Sequence, residues 1–295
     1  EGSGAPHAHT NGQAIQIEIQ AMAYAFSDPG TNIDNTTFYE FTYINRGEKN
    51  LNETQISLWF DFDFHCYYDD YIGCNPDEKM AIIYSNDHMN SLGICGGPQP
   101  PHEEIPMFGV KVMESTLNHN NEDVGFSSFI YYGSAIFSQP GTFEPNAPSE
   151  FYQLINGIWH DGTPITRGGT GYNPNSQDIV QYVFDDSPDD PDGWSMCTEE
   201  TPYADDRILI NSGPYNIEAK GGSVTITYAI LAQLEVDYPC PSFDIMSAMG
   251  AEIEEHFLNF SSDEEAFEEE NQLLISPNPM SHATILKLNN KDELF

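Results

Sequence analysis

Residues 14–26, AIQIEIQAMAYAF, alternate apolar and polar side chains over most of their length, and this period of two is the strongest restriction on the fold. Successive side chains of a strand point to opposite faces, so such a run buries one face and leaves the other wet. The same signature recurs in FYEFTYINRG at 38–47, ended by Asn45 and Gly47, and in QISLWFDFDF at 55–64. Shorter strand candidates follow: MAIIY at 80–84, MFGVKVM at 107–113, FSSFIYY at 126–132, DIVQYVF at 178–184 and SVTITYAILAQLEV at 223–236. Gly, Pro, Asn and Asp, the residues of tight turns, fill the segments between them. Helical spacing occurs in DIMSAMGAEIEEHFLNF at 244–260, where Ile245, Met249, Ile253, Phe257 and Phe260 would line one side. Strands followed by one helix predict a mainly β chain, an antiparallel β-sandwich of jelly-roll type with a C-terminal helix.

The chain has 295 residues, enough for one large β domain. Its charge is lopsided: nine Lys plus Arg stand against 47 Asp plus Glu, a net charge of -38. Such a surface repels phosphate backbones and anionic lipid and attracts cations, so neither nucleic acid nor direct membrane insertion is expected. Self-repulsion also penalises the compact state unless salt or bound metal offsets it, which predicts a saline or calcium-containing exterior. The five cysteines lie far apart, with no C-x-x-C pair to suggest a structural zinc site. They predict an exported protein with one or two disulfides, Cys66–Cys74 and Cys74–Cys95 being the nearest pairs in sequence. The chain opens on Glu1, as expected of a processed or excised piece.

From Asp61 the chain reads DFDFHCYYDDYIGC. On a strand, Leu58, Phe60, Phe62 and Phe64 point one way into a core, while Trp59, Asp61, Asp63 and His65 point the other. Asp61 and Asp63 would stand roughly 7 Å apart along the strand, close enough for Asp69 and Asp70 of the following loop to join them around one cation. Hard oxygen ligands in that number favour calcium over zinc or copper. The spacing is not that of an EF-hand, because His65 holds the fifth position and Ile72 the twelfth. Asp87, in NDH at 86–88, is a further candidate ligand, and the same stretch also reads as a solvated strand end. Two other acidic loops, DDSPDDPDG at 185–193 and ADDR at 204–207, read as solvated turns, with Arg207 placed to pair a neighbouring carboxylate.

Catalytic signatures fail on inspection. GFSSF at 125–129 ends in Phe129 where a nucleophile elbow needs glycine, and HEEIP at 102–106 has Pro106 where a zinc-protease helix needs its second histidine. Trp159, His160 and Asp161 of WHDG form the one grouping to which acid–base or carbohydrate chemistry could be attached, and they also suit a structural turn.

Past the helix, SSDEEAFEEENQ is acidic at six of the eight positions from Asp263 to Glu270, the composition of a solvated linker. A new strand-turn-strand pattern, LLISPNPMSHATILKL, then begins. The chain therefore divides into a β-sandwich module at 1–242, a helix and acidic linker at 243–272 with a boundary near 262, and the start of a second small β domain at 273–295. With Pro277, Asn278 and Pro279 between two short strands, the tail resembles the start of the C-terminal sorting domain of proteins exported by the type IX secretion system of Bacteroidota. FYEFTYINRG, WFDFDF with DDYIGC, INGIWHDGTPITRGGTGY and DDRILINSGPYNIEAKGGSVTITYAI resemble an extracellular module of large proteins carrying that signal. The resemblance implies a protein secreted to the outer surface of a Gram-negative bacterium, with the type IX machinery as a partner, and it brings no catalytic signature. The expectation is a non-catalytic, calcium-stabilised structural or adhesive module that self-assembles or binds a surface glycan or protein, the alternative being a domain of a secreted hydrolase.

Overall fold

The computed structural model describes residues 14–64, 66–86, 106–133, 141–201, 204–234, 236–237 and 239–268, with side chains to Asn259. Among these residues nine strands form two antiparallel sheets. They are β1 (Ile17–Tyr24), β2 (Thr36–Asn45), β3 (Leu51–Asp61), β4 (Asp70–Asn75), β5 (Met80–Ser85), β6 (Met107–Ser115), β7 (Ser128–Gly133), β8 (Asp206–Ile217) and β9 (Ser223–Gln233). The larger sheet runs β1-β2-β9-β6-β5-β4 and the smaller β3-β8-β7. The chain switches sheets between β2 and β3, β3 and β4, β6 and β7, and β8 and β9, so that β2–β9 and β3–β8 pair in different layers. That crossing pattern is a jelly-roll trait, and the mainly β sandwich expected from the strand runs is present.

Coverage of the larger sheet explains its sequence. On one face Phe108 stacks on Phe64, with ring centroids 5.1 Å apart, and lies 5.9 Å from Phe62, joining β6 to the extension of β3. On the other face lies a helix, α2 (Asp244–Glu268), where Phe257 stacks on Phe38 at 5.9 Å and Met246 closes on Gly109. A Cβ at Gly109 would meet Met246 Cε at 2.6 Å, so this strand glycine is what lets the helix approach. Every residue of β5 is buried, because a strand covered on both faces carries an unbroken apolar run.

Met249, Ile253 and Phe257 of the expected stripe are buried on α2 and are joined by Met246, whereas Ile245 is 37% exposed and the side chain of Phe260 lies outside those described. The helix also continues past 262 to Glu268, carrying helical backbone into the acidic stretch. The tail at 273–295, with Pro277, Asn278 and Pro279, lies outside the described residues.

Residues 141–201 form a buttress of turns beside the smaller sheet, with a short helix, α1 (Pro148–Ile155), begun by Pro148. DIVQYVF at 178–184 is not a full strand: Phe129 N–H donates to Gln181 O at 3.1 Å, Val183 N–H donates to Phe129 O at 3.2 Å, and regular pairing extends no further. These bonds, with Gly133 N–H to Thr142 O at 2.8 Å, cover the free edge of β7. Cys74 N–H donates to Phe184 O at 3.0 Å and tethers β4 in the same way.

The expected cysteine pairs are replaced. Cys197 and Cys240 form a disulfide that ties the buttress to the segment entering α2. Cys66 is buried and disulfide-bonded, and Cys74 is a buried free thiol, so neither Cys66–Cys74 nor Cys74–Cys95 forms. Geometry explains this for Cys74: it sits on β4, paired with Ala81, and its Sγ contacts Val183 O at 3.4 Å inside the core.

Candidate metal site

The alternation expected along β3 is present: Ile56, Leu58, Phe60, Phe62 and Phe64 join or pack against the core, while Trp59, Asp61 and Asp63 are exposed. Opposite Asp61 on β8 stands Arg207. Asp205, two residues earlier and on the same face by strand periodicity, completes a cluster. One carboxylate oxygen each from Asp61, Asp63 and Asp205 lies within 4.8 Å of the others. Opposite ligands of a calcium ion stand about 5 Å apart, so the three oxygens could hold one metal ion between them.

Arg207 organises this group. Its guanidinium contacts Asp205 Oδ2 at 3.0 Å and Asp61 Oδ2 at 3.5 Å. Although partial burial works against it, the charges of Asp205 and Asp61 push its pKa above the usual guanidinium value. Asp63 has its own pKa raised by desolvation and by the charges of Asp61 and Asp205, against the pull of Arg207. Three carboxylates facing one guanidinium leave an excess of two negative charges when all are ionised, the charge that one divalent cation neutralises.

The remaining sequence candidates are placed differently. Asp70 begins β4, is 5% exposed, and accepts Phe64 N–H on Oδ2 at 2.9 Å. Its other oxygen is buried and has no hydrogen-bond partner among the described residues. Burial raises its pKa well above the usual carboxylate value, and the charges of Asp69, Asp63 and Asp206 add to the rise against the Phe64 N–H. Asp69 is fully buried and lies 3.5 Å from Ser85 Oγ. Both are buried and are not among the three grouped carboxylates, and Asp87 lies outside the described residues. Asp205 is the candidate ligand that sequence reasoning missed: it lies 144 positions from Asp61, and only the β3–β8 register joins them. The signal was the Asp-Asp-Arg that opens RILIN, read as a solvated turn with Arg207 pairing a carboxylate, a pairing the structure contains.

The loop at 185–193 is committed to its own turn. Asp185 and Asp186 bind Arg167 at 3.0 and 2.9 Å, and Asp186 also accepts Trp194 N–H at 2.7 Å. WHDG is likewise architectural. Trp159 is fully buried, donates its indole N–H to Gly171 O at 2.8 Å and meets Tyr131 edge-on at 5.5 Å. Asp161 accepts Thr163 N–H at 2.9 Å and the Tyr172 hydroxyl at 2.7 Å. His160 stands edge-on to Phe143 at 6.3 Å.

No family model matches the chain, and neither a curated protein nor a solved structure matches it. Among the described residues no helix is long and apolar enough to cross a membrane.

Proposed function

We propose that this protein is a non-catalytic structural or adhesive β module, exported by the type IX route to the outer surface of a Gram-negative bacterium and stabilised there by calcium. The observation that carries the metal reading is the convergence of Asp61, Asp63 and Asp205. Three oxygen ligands on an open surface, with water completing the shell, suit calcium's loose geometry, and sites of that kind in extracellular modules bind with Kd of about 10⁻⁴ to 10⁻³ M. A cation that binds only the folded state stabilises it by mass action, so folding would be favoured on arrival outside the cell. The Cys197–Cys240 disulfide is compatible with that compartment. The hydrolase alternative is weakened by the geometry of its candidates, since the Trp159 ring is buried and Asp161 braces a turn.

Calcium at about 10 mM should raise the melting temperature above its value in EGTA by about 5 °C, given a stabilisation of about 2 kcal/mol for a Kd in that range. Asp63→Asn should remove most of that shift. It is a cleaner probe than Asp61→Ala because Asp61 also supports Arg207. Identical melts in calcium and EGTA would sink the metal reading.

One observation favours self-assembly as the structural role. Among the described residues strand β1 is an edge of the larger sheet, with Ile19 59% and Met22 49% exposed, and such an edge is of the kind that pairs with another chain. Met22→Lys should lower any oligomer fraction seen by size-exclusion chromatography with light scattering. A chain that is monomeric at millimolar concentration rules this role out.

A further inference from the structure

Trp59 lies two residues before Asp61 on the same face of β3, and its ring is 49% exposed. That ring is held in place. Its indole N–H donates to the Tyr132 hydroxyl at 2.8 Å, and Tyr132 is itself 5% exposed and paired across β7 and β8 with Arg207. With its polar atom satisfied inside the protein, the indole offers solvent an apolar face whose side-chain entropy is already lost. Tyr67 is 41% exposed, packs on Tyr68 at 4.2 Å and lies within electrostatic reach of Asp63 and Asp205. Two exposed aromatics thus accompany a group of hydrogen-bond acceptors and one guanidinium.

We infer that Trp59, Tyr67, Arg207 and the cation-loaded triad of Asp61, Asp63 and Asp205 form a calcium-dependent binding site for a neutral glycan. This rests on the metal reading above and names the ligand class of that surface. Sugars present an apolar C–H face and, at its rim, vicinal hydroxyls that both donate and accept hydrogen bonds. The C–H face stacks on Trp59. Hydroxyls at the rim donate to carboxylate oxygens, accept from Arg207, or replace water on the cation.

Charge decides between the candidate ligands. Uronic acids and sulfated sugars meet a protein of net charge -38 and are repelled. A basic peptide would be drawn to a bare triad, but Arg207 already occupies one side of it and the cation balances the remainder, so little negative charge is left to recognise. Uncharged polyols need no excess charge in either direction.

The test is isothermal titration of the full chain with soluble mannan, β-glucan and galactan, in calcium and in EGTA, beside Trp59→Ala and Tyr67→Ala and with melting curves on every sample. Binding of at least one polysaccharide in calcium, weakened about tenfold or more by Trp59→Ala and lost in EGTA, is the expected result. Tyr67, more exposed and less tied to the fold, guards against loss through misfolding: its variant should keep the calcium-induced melting shift and still bind more weakly. No binding to any of the three, or binding that both variants leave intact, overturns the glycan site while a calcium-shifted melt keeps the metal reading standing. Binding of equal strength in EGTA overturns the coupling of glycan to cation. A lysine-rich peptide that binds in place of the polysaccharides, and more tightly in EGTA, also overturns the proposal.

Discussion

Lys111→Ala lowers the stability of the folded chain by about 3 kcal/mol, the cost of breaking a buried charge pair by removing one partner. Lys111 projects from β6 towards α2 with a side chain only 3% exposed. Its ammonium group donates to Glu78 O at 2.9 Å and contacts Glu78 Oε2 and Glu254 Oε2, each at 3.0 Å. The three contacts satisfy the three donors of an ammonium group, which is what makes burial of the charge tolerable. Glu78 and Glu254 are 29% and 47% exposed, so after truncation both carboxylates can rehydrate and the loss stays at the low end for a broken buried pair. Lys111→Met keeps most of the side-chain volume and should cost only about 1 kcal/mol. Urea unfolding of the two variants checks both figures. A loss below about 1 kcal/mol for Lys111→Ala would mean that α2 docks through Met246, Met249, Ile253 and Phe257 alone.

In EGTA the protein should lose stability as the pH rises from 4 to 7, the opposite of ordinary acid denaturation. Asp206, 9% exposed at the start of β8, has its pKa pushed up to about 7 by burial and by the charge of Asp205, against the pull of Arg207. In the unfolded chain the same group ionises near 3.8. Between those values the folded state keeps a proton that the unfolded state has released, so unfolding releases a proton and stability falls as pH rises. The penalty is complete above the folded value and amounts to about 4 kcal/mol. Asp70, also raised, acts in the same direction. Asp206→Asn, which cannot ionise, should flatten the profile of melting temperature against pH. A wild-type profile in EGTA that is level or rising from pH 4 to 7 would contradict this account.

Particular elements show how much of the fold could be read in advance. The strands β1, β2, β3, β5, β6, β7 and β9 coincide with alternating or continuous apolar runs, because burial of one face or both leaves its period in the sequence. DIVQYVF carries the same pattern without becoming a full strand: it borders β7 through isolated bonds, and side-chain periodicity does not reveal which backbone groups find partners. Strand β4 was hidden inside an acidic stretch, since Asp69 and Asp70 look like solvated residues until the fold buries them. In α2 the buried stripe begins at Met246 rather than Ile245, because Met246 is the side chain that closes on Gly109 of the sheet beneath.

The candidate site divides in the same way. Asp61 and Asp63 were legible because strand alternation puts them on one face, opposite Phe60 and Phe62. Asp205 was not, because its place beside them depends on the pairing of β3 with β8 across most of the chain length.

Local periodicity and composition were thus enough for the class of the fold, the faces of most strands, a long C-terminal helix and a surface rich in negative charge, but not for β4 or β8. Only the tertiary structure decided which carboxylates meet, which cysteines bond, and which aromatics stand exposed beside Arg207. Those outcomes depend on contacts between residues far apart along the chain, whose geometry is set by sheet register and layer packing rather than by any neighbour in sequence.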